Sequence, residues 1–277
     1  MNITDCNIWY RQTGATLFAL LFFGCGPRVE TELTEAISQT YQIDPSGSLS
    51  IRNANGSIVI RDTEASEVRL QAVKKANSSE QLSSVHINVA SQPDFVSITT
   101  DFLQPKNKAL FAASGTVDYI VSVPPTIRLR RVDLDNGKLS IDGMRGEEVQ
   151  ANVVDGQLVI RNCFANSHAR IANGTLDLLY DHPDQRQFSV DAQITSGSAR
   201  VIIPRAGSFH VRAETVTGKI TNDFAETVEV NGHTLRKIDM SFGKEAHSEI
   251  KLRVTTGDIR IAESKPGIRN TSSDESQ

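Results

Sequence analysis

Cysteine, tryptophan and any excess of basic charge are what this chain has least of, and each scarcity removes a class of answer. The cysteines are only Cys6, Cys25 and Cys163, too few for a disulfide scaffold and without the paired spacing of a zinc or redox site. Trp9 is the one tryptophan, and aromatic residues make up 6% of the chain, so the flat apolar rings on which sugar sites often rest are thinly supplied. Lysine and arginine total 29 against 33 aspartate and glutamate, a net charge of -4, which removes the basic footprint of a nucleic-acid binder. No apolar run is long enough to span a bilayer as a helix. Gly-x-Ser-x-Gly, P-loop and His-Glu-x-x-His patterns are absent as well.

What is present is a repeat. Val132 and Leu134 precede Asn136-Gly137, and Leu139 and Ile141 follow it. The unit recurs around Asp155-Gly156, Asn173-Gly174, Ser196-Gly197, Thr217-Gly218 and Thr256-Gly257, and an earlier copy surrounds Asn55-Gly56. Within each unit the apolar positions lie two apart, the period of a strand with one buried face. A tight change of direction explains the glycine, because it tolerates positive φ, and Asn-Gly and Asp-Gly are also the strongest two-residue hairpin signal. The glycines at 137, 156, 174, 197 and 218 are separated by steps of 19, 18, 23 and 21. Near-constant steps of that size point to stacked units, each too small to close a core alone.

The N-terminus carries an address. Arg11 precedes the apolar run Ala15–Phe23, which has the length of a signal-peptide core, and Gly24-Cys25 follows. A small residue before cysteine at the end of such a run resembles the lipobox of bacterial lipoproteins. The expected organisation is a signal peptide over 1–24, then lipidated Cys25 and a tether over 25–45. A β-repeat domain over 46–262 and a disordered tail over 263–277 complete it. Removal of the leader takes away Cys6 and Trp9, and Cys163 is left as a lone thiol, best read as a small buried hydrophobe. Strands are expected at Val68–Val73, Val85–Val89, Phe95–Thr99 and Val117–Val123. Residues 77–84 form a helical turn or loop, and the Pro105 segment, 104–114, a surface excursion.

The run Tyr119–Ile141, Y-I-V-S-V-P-P-T-I-R-L-R-R-V-D-L-D-N-G-K-L-S-I, with the later T-V-T-G-K-I and L-R-V-T-T-G-D-I-R-I, resembles the bacterial putative-adhesin family of unknown function. That family shows a strand ending in Val-Pro followed by glycine-punctuated β-repeats. The resemblance implies an all-β solenoid, a right-handed β-helix-like domain at the cell envelope. The alternative on the residues alone is an antiparallel meander or sandwich. One departure is the step of 39 from Gly218 to Gly257, which holds an extra Asn231-Gly232 and makes the last third irregular.

Candidate chemistry is sparse. His86, His168, His182, His210, His233 and His247 are scattered singly, and no metal site or cofactor is expected of them. Asp177, Asp181 and Asp184 with His182 form the densest polar cluster, expected to be a solvated loop. Arg128, Arg130 and Arg131 form the one basic cluster of note; Arg128 and Arg130 alternate with Ile127 and Leu129 and read as the solvent face of a strand. Asp133, Asp135, Asp142 and Asp155 lie on neighbouring repeats and would have to meet on one face to serve as paired carboxylates. No catalytic residue is assigned. The expected function is non-enzymatic: a lipid-anchored envelope protein presenting an adhesin-like or scaffolding surface. Its partners would be the membrane, through the N-terminal lipid, and an envelope protein or polysaccharide. The alternatives are a β-helix enzyme acting on polysaccharide and an accessory or sensor subunit of a membrane regulator.

Overall fold

A computed structural model of the chain describes residues 32–102, 115–224, 236–243 and 248–264. In chain order the elements are β1 (Leu33–Gln42), β2 (Ser48–Asp62), β3 (Glu67–Ala76), a short helix α1 (Ser79–Ser84), β4 (Val85–Gln92), β5 (Phe95–Phe102) and β6 (Thr116–Val123). There follow β7 (Arg128–Asp142), β8 (Glu148–Arg161), β9 (Asn166–Leu179), β10 (Ser189–Ile203), β11 (Phe209–Thr217), β12 (Ile220–Asn222), β13 (Lys237–Phe242), β14 (Ser248–Thr256) and β15 (Ile259–Glu263).

The long strands are the repeat units, and each bends at its glycine. In β7, Leu134 and Leu139 are both buried although the odd interval between them would put them on opposite faces of a straight strand. Both reach the core only because the chain turns at Asn136-Gly137, where Gly137 has φ +132. The two halves of a unit do not pair with each other. Each pairs in parallel with the matching half of the next unit: Gly56 lies opposite Gly137, Gly137 opposite Gly156, Gly156 opposite Gly174 and Gly174 opposite Gly197. The hairpin that Asn-Gly favours locally is therefore replaced by a corner, and the molecule is the expected solenoid, its two sheets meeting along a column of glycines. Rows of like residues fill the wedge between the sheets. Ile51, Val132, Ala151, Ala169, Ala192 and Leu252 form one, and Ile58, Leu139, Leu158, Leu176, Ala199 and Ile259 face them from the other sheet.

The inter-rung connections close the third side. Met144, Cys163, Phe164 and Tyr180 are buried there. Phe164, Tyr180, Phe188 and Phe209 pack ring against ring at centroid distances of 5.3 to 6.2 Å, the separations aromatic pairs favour. Cys163 is wholly buried, and its thiol donates to the Arg161 carbonyl at 3.3 Å. Burial pushes its pKa up to about 12, which leaves it inert as a nucleophile.

Two features depart from a simple sequential array. At the start, β1 lies within the segment expected to be a tether up to residue 45, and it pairs residue for residue with β3. Its side chains are mostly exposed, so it lacks the alternation that marks a half-buried strand, and its place in the sheet comes from backbone pairing. The first rung, β2, is flanked by two separate strands, β5 along its first half and β6 along its second. Beyond them the sheets continue antiparallel, to β4 on one side and through β3 to β1 on the other.

At the other end the order of stacking inverts. The last unit in sequence, β14–β15, lies between β10 and the β11–β12 unit, parallel to both. The glycine column accordingly runs Gly197, Gly257, Gly218. The long step from Gly218 to Gly257 reflects this detour, which includes the antiparallel edge strand β13. Asn231-Gly232, the Pro105 segment, the leader with Cys25, His233, His247 and the tail beyond residue 264 lie outside the described residues.

Candidate functional site

The outward side chains of a parallel, in-register stack repeat every rung, about 4.8 Å apart. On the first-half sheet one row runs from Arg52 through Asp133, Asn152, Arg170 and Gln193 to Arg253. Along the corner, the residue before each glycine forms a second row. Asn136 Nδ2 donates to Asn55 Oδ1 at 3.2 Å, and Asn173 Nδ2 donates to Asp155 Oδ1 at 2.8 Å. These residues bond the neighbouring rung's side chain as well as suiting the corner. At the two ends of the glycine column buried polar groups tie off the backbone. Asn53 Nδ2 donates to the Val117 carbonyl at 2.8 Å, and Thr215 Oγ1 to the Gly257 carbonyl at 2.7 Å.

Carboxylates are held from rung to rung. Asp133 accepts from Asn152 at 2.8 Å and also pairs with Arg131. Asp177 accepts from Gln157 at 2.9 Å and Arg200 at 2.8 Å. Asp181 takes Arg161 at 2.7 Å and Asn162 at 3.1 Å, and Asp184 takes Arg145 at 3.4 Å. Burial pushes Asp181 up, but Arg161 and Asn162 outweigh it and hold the carboxyl below its ordinary range. Asp142 behaves oppositely. Half-burial raises its pKa, the nearby Asp62 and Asp181 carboxylates add to that, and Arg161 offsets only part.

The sequence candidates are thus distributed. Asp133 lies on the first-half sheet, Asp135 and Asp155 at the corner, and Asp142 at the far end of the second-half sheet, so the carboxylates do not face one another. Asp177, Asp181 and Asp184 each engage a different arginine. His182 lies against the Phe164 ring at 5.3 Å, and His86 and His168 are exposed. His210 Nδ1 is 2.9 Å from Ser241 Oγ on β13. Arg128, Arg130 and Arg131 are exposed, with Arg128 bound to Glu147 at 2.9 Å. The adjacent Arg130 and Arg131 both face outward because the pairing register slips between Leu129 and Val132, a β-bulge. Among the described residues no group of three or more His, Cys, Asp or Glu side chains is arranged to hold a metal, and no helix is long and apolar enough to cross a membrane.

One region carries no mark in the sequence. On the first-half sheet near its C-terminal edge, Arg212, Lys237, Asp239 and Lys251 line a hollow of roughly 330 Å³. Arg212 bridges Asp239 and Glu249, both at 3.1 Å. Only the out-of-order placement of β14 beside β11 assembles it.

A stack of glycine-cornered rungs with polar outer rows and a shared aliphatic core defines the class: a β-solenoid repeat protein. The chain belongs to the Toastrack DUF4097 family, whose model matches residues 17–262. Solved structures of similar chains include a putative cell adhesion protein of Clostridium sporogenes, at 14% identity and TM-score 0.48, covering 83% of this chain and 100% of that one. A putative adhesin of Bacteroides fragilis, at 11% identity and TM-score 0.38, covers 83% and 97%. A putative lipid binding protein of Parabacteroides distasonis, at 8% identity and TM-score 0.29, also covers 83% and 97%. No curated protein matches the chain.

Proposed function

We propose that this is a non-enzymatic, lipid-anchored protein of the bacterial cell envelope whose stacked rungs display a rigid polar surface for adhesion or scaffolding. The observation that supports the reading is the outer row structure. Asp133, Asp155, Asp177 and Asp181 each bond an amide or guanidinium on an adjacent rung, so the polar groups hold one another in fixed positions. Such a surface offers many weak, regularly spaced contacts, which suits an extended partner better than a small substrate. The lipobox at Cys25 supplies the membrane attachment.

Two measurements test the reading. Cys25→Ser should abolish lipid labelling and release the protein from membranes; continued retention removes the anchor. Incubation with a panel of envelope glycans should produce no new reducing ends. Turnover that disappears in Asp133→Asn or Asp142→Asn would replace display with catalysis on polysaccharide.

A further inference from the structure

Among the described residues the sheet has four strands paired on one side only: β1 and β4 at the N-terminal end, β12 and β13 at the other. Natural edge strands are shielded by shortness, proline, bulges or lysine. β12 has three residues, β13 six with Lys237 at its start, and β4 runs into Pro93. β1 has no proline, bulge or lysine and is not short, and its Glu35 is paired with Lys74 of β3 at 3.2 Å. Its ten residues, L-T-E-A-I-S-Q-T-Y-Q, pair without a break to β3, and Glu35 is its single charge.

The side chains on one face of β1 are arranged symmetrically. Leu33, Glu35, Ile37, Gln39 and Tyr41 share that face. Ile37 and Tyr41 lie half-buried against the core, and Leu33 is 38% exposed. We infer that β1 is a self-association strand, and that two copies of this chain join through antiparallel β1–β1 pairing about a two-fold axis at Ile37. In that register Leu33 of one copy lies opposite Tyr41 of the other, Ile37 opposite Ile37, and Glu35 opposite Gln39. The other face brings Thr34 against Thr40 and Ala36 against Ser38. The apolar residues join in one row, no like charges oppose each other, and the free backbone groups of both edges are satisfied. A two-fold contact is closed, so it yields a dimer rather than a fibre. The inference stands on β1 alone and does not depend on what the outer rows bind.

The full chain carrying Cys25→Ser, so that lipid cannot cluster it, tests this by sedimentation equilibrium. Two changes at exposed Gln39 set the sign. Gln39→Glu places carboxylates opposite Glu35 at both ends of the pairing while keeping the acceptor that the Tyr41 hydroxyl uses. Gln39→Lys places ammonium groups there instead. The expected result is a dimer whose Kd rises about tenfold in Gln39→Glu and falls in Gln39→Lys, with unchanged circular dichroism. A chain that stays monomeric at every concentration, or a dimer showing any other order of affinities, overturns the inference.

Discussion

A methyl group added at Gly174 would have to occupy the space of the Gly156 carbonyl oxygen, and the backbone there already sits at φ +141. Steric crowding from the rung beneath and the left-handed conformation act together, so alanine is refused as firmly as a branched residue. Gly174→Ala should cost roughly 2–4 kcal/mol, read as a lowered thermal midpoint; an unchanged midpoint would mean the column can open. The aspartates make a paired prediction at the same scale. Asp142 has a raised pKa in the folded state, so its ionisation at neutral pH opposes folding, and that penalty fades as pH falls through the raised value. Asp181 has a lowered pKa; its contribution is present above the unfolded carboxyl range and is lost as pH falls through the folded value. Asp142→Asn should therefore raise the thermal midpoint at neutral pH and Asp181→Asn lower it, both differences shrinking in acid. Midpoint shifts of the same sign would contradict the assignment.

Among the elements, the rungs were readable, and so were the flanking strands β3 to β6, each found where its alternation placed it; β1 was not. The paired apolar positions around each glycine marked β7 to β10 in the sequence, because a strand buried on one face must repeat every second residue. Whether Asn136-Gly137 reverses the chain or merely bends it was not readable, since both need a residue with positive φ. The decision lies in which backbone the freed hydrogen-bonding groups meet, and that is the next rung. β1 carries no such mark. Its faces are largely exposed, and its strand form depends on the β3 edge rather than on its own pattern. The Arg130-Arg131 bulge likewise follows from register with β8.

For the molecule as a whole, the inverted order of the last units has a consequence. A solenoid normally loses stability by steps when an end rung is removed, because each rung contacts only its neighbours. Here the last unit in sequence is an internal rung, with Leu252 and Ile259 packed between β10 and the β11–β12 unit. A chain ending at residue 247 should therefore lose β11–β12 as well, exposing the β10 face to protease. Limited proteolysis that still protects residues 209–222 in the truncated chain would show that the inserted rung is dispensable.

The class of fold, the repeat and the inert character of Cys163 were all determined by the sequence, because burial imposes its period on residues a few positions apart and a lone thiol without partners has little else to do. Only the tertiary structure decided which carboxylates meet which arginines, that the corners are not hairpins, that β1 joins the sheet and that β14–β15 enters out of turn. Those outcomes depend on pairing between segments far apart in the chain, where many registers satisfy the same local pattern and only packing against a common core selects one.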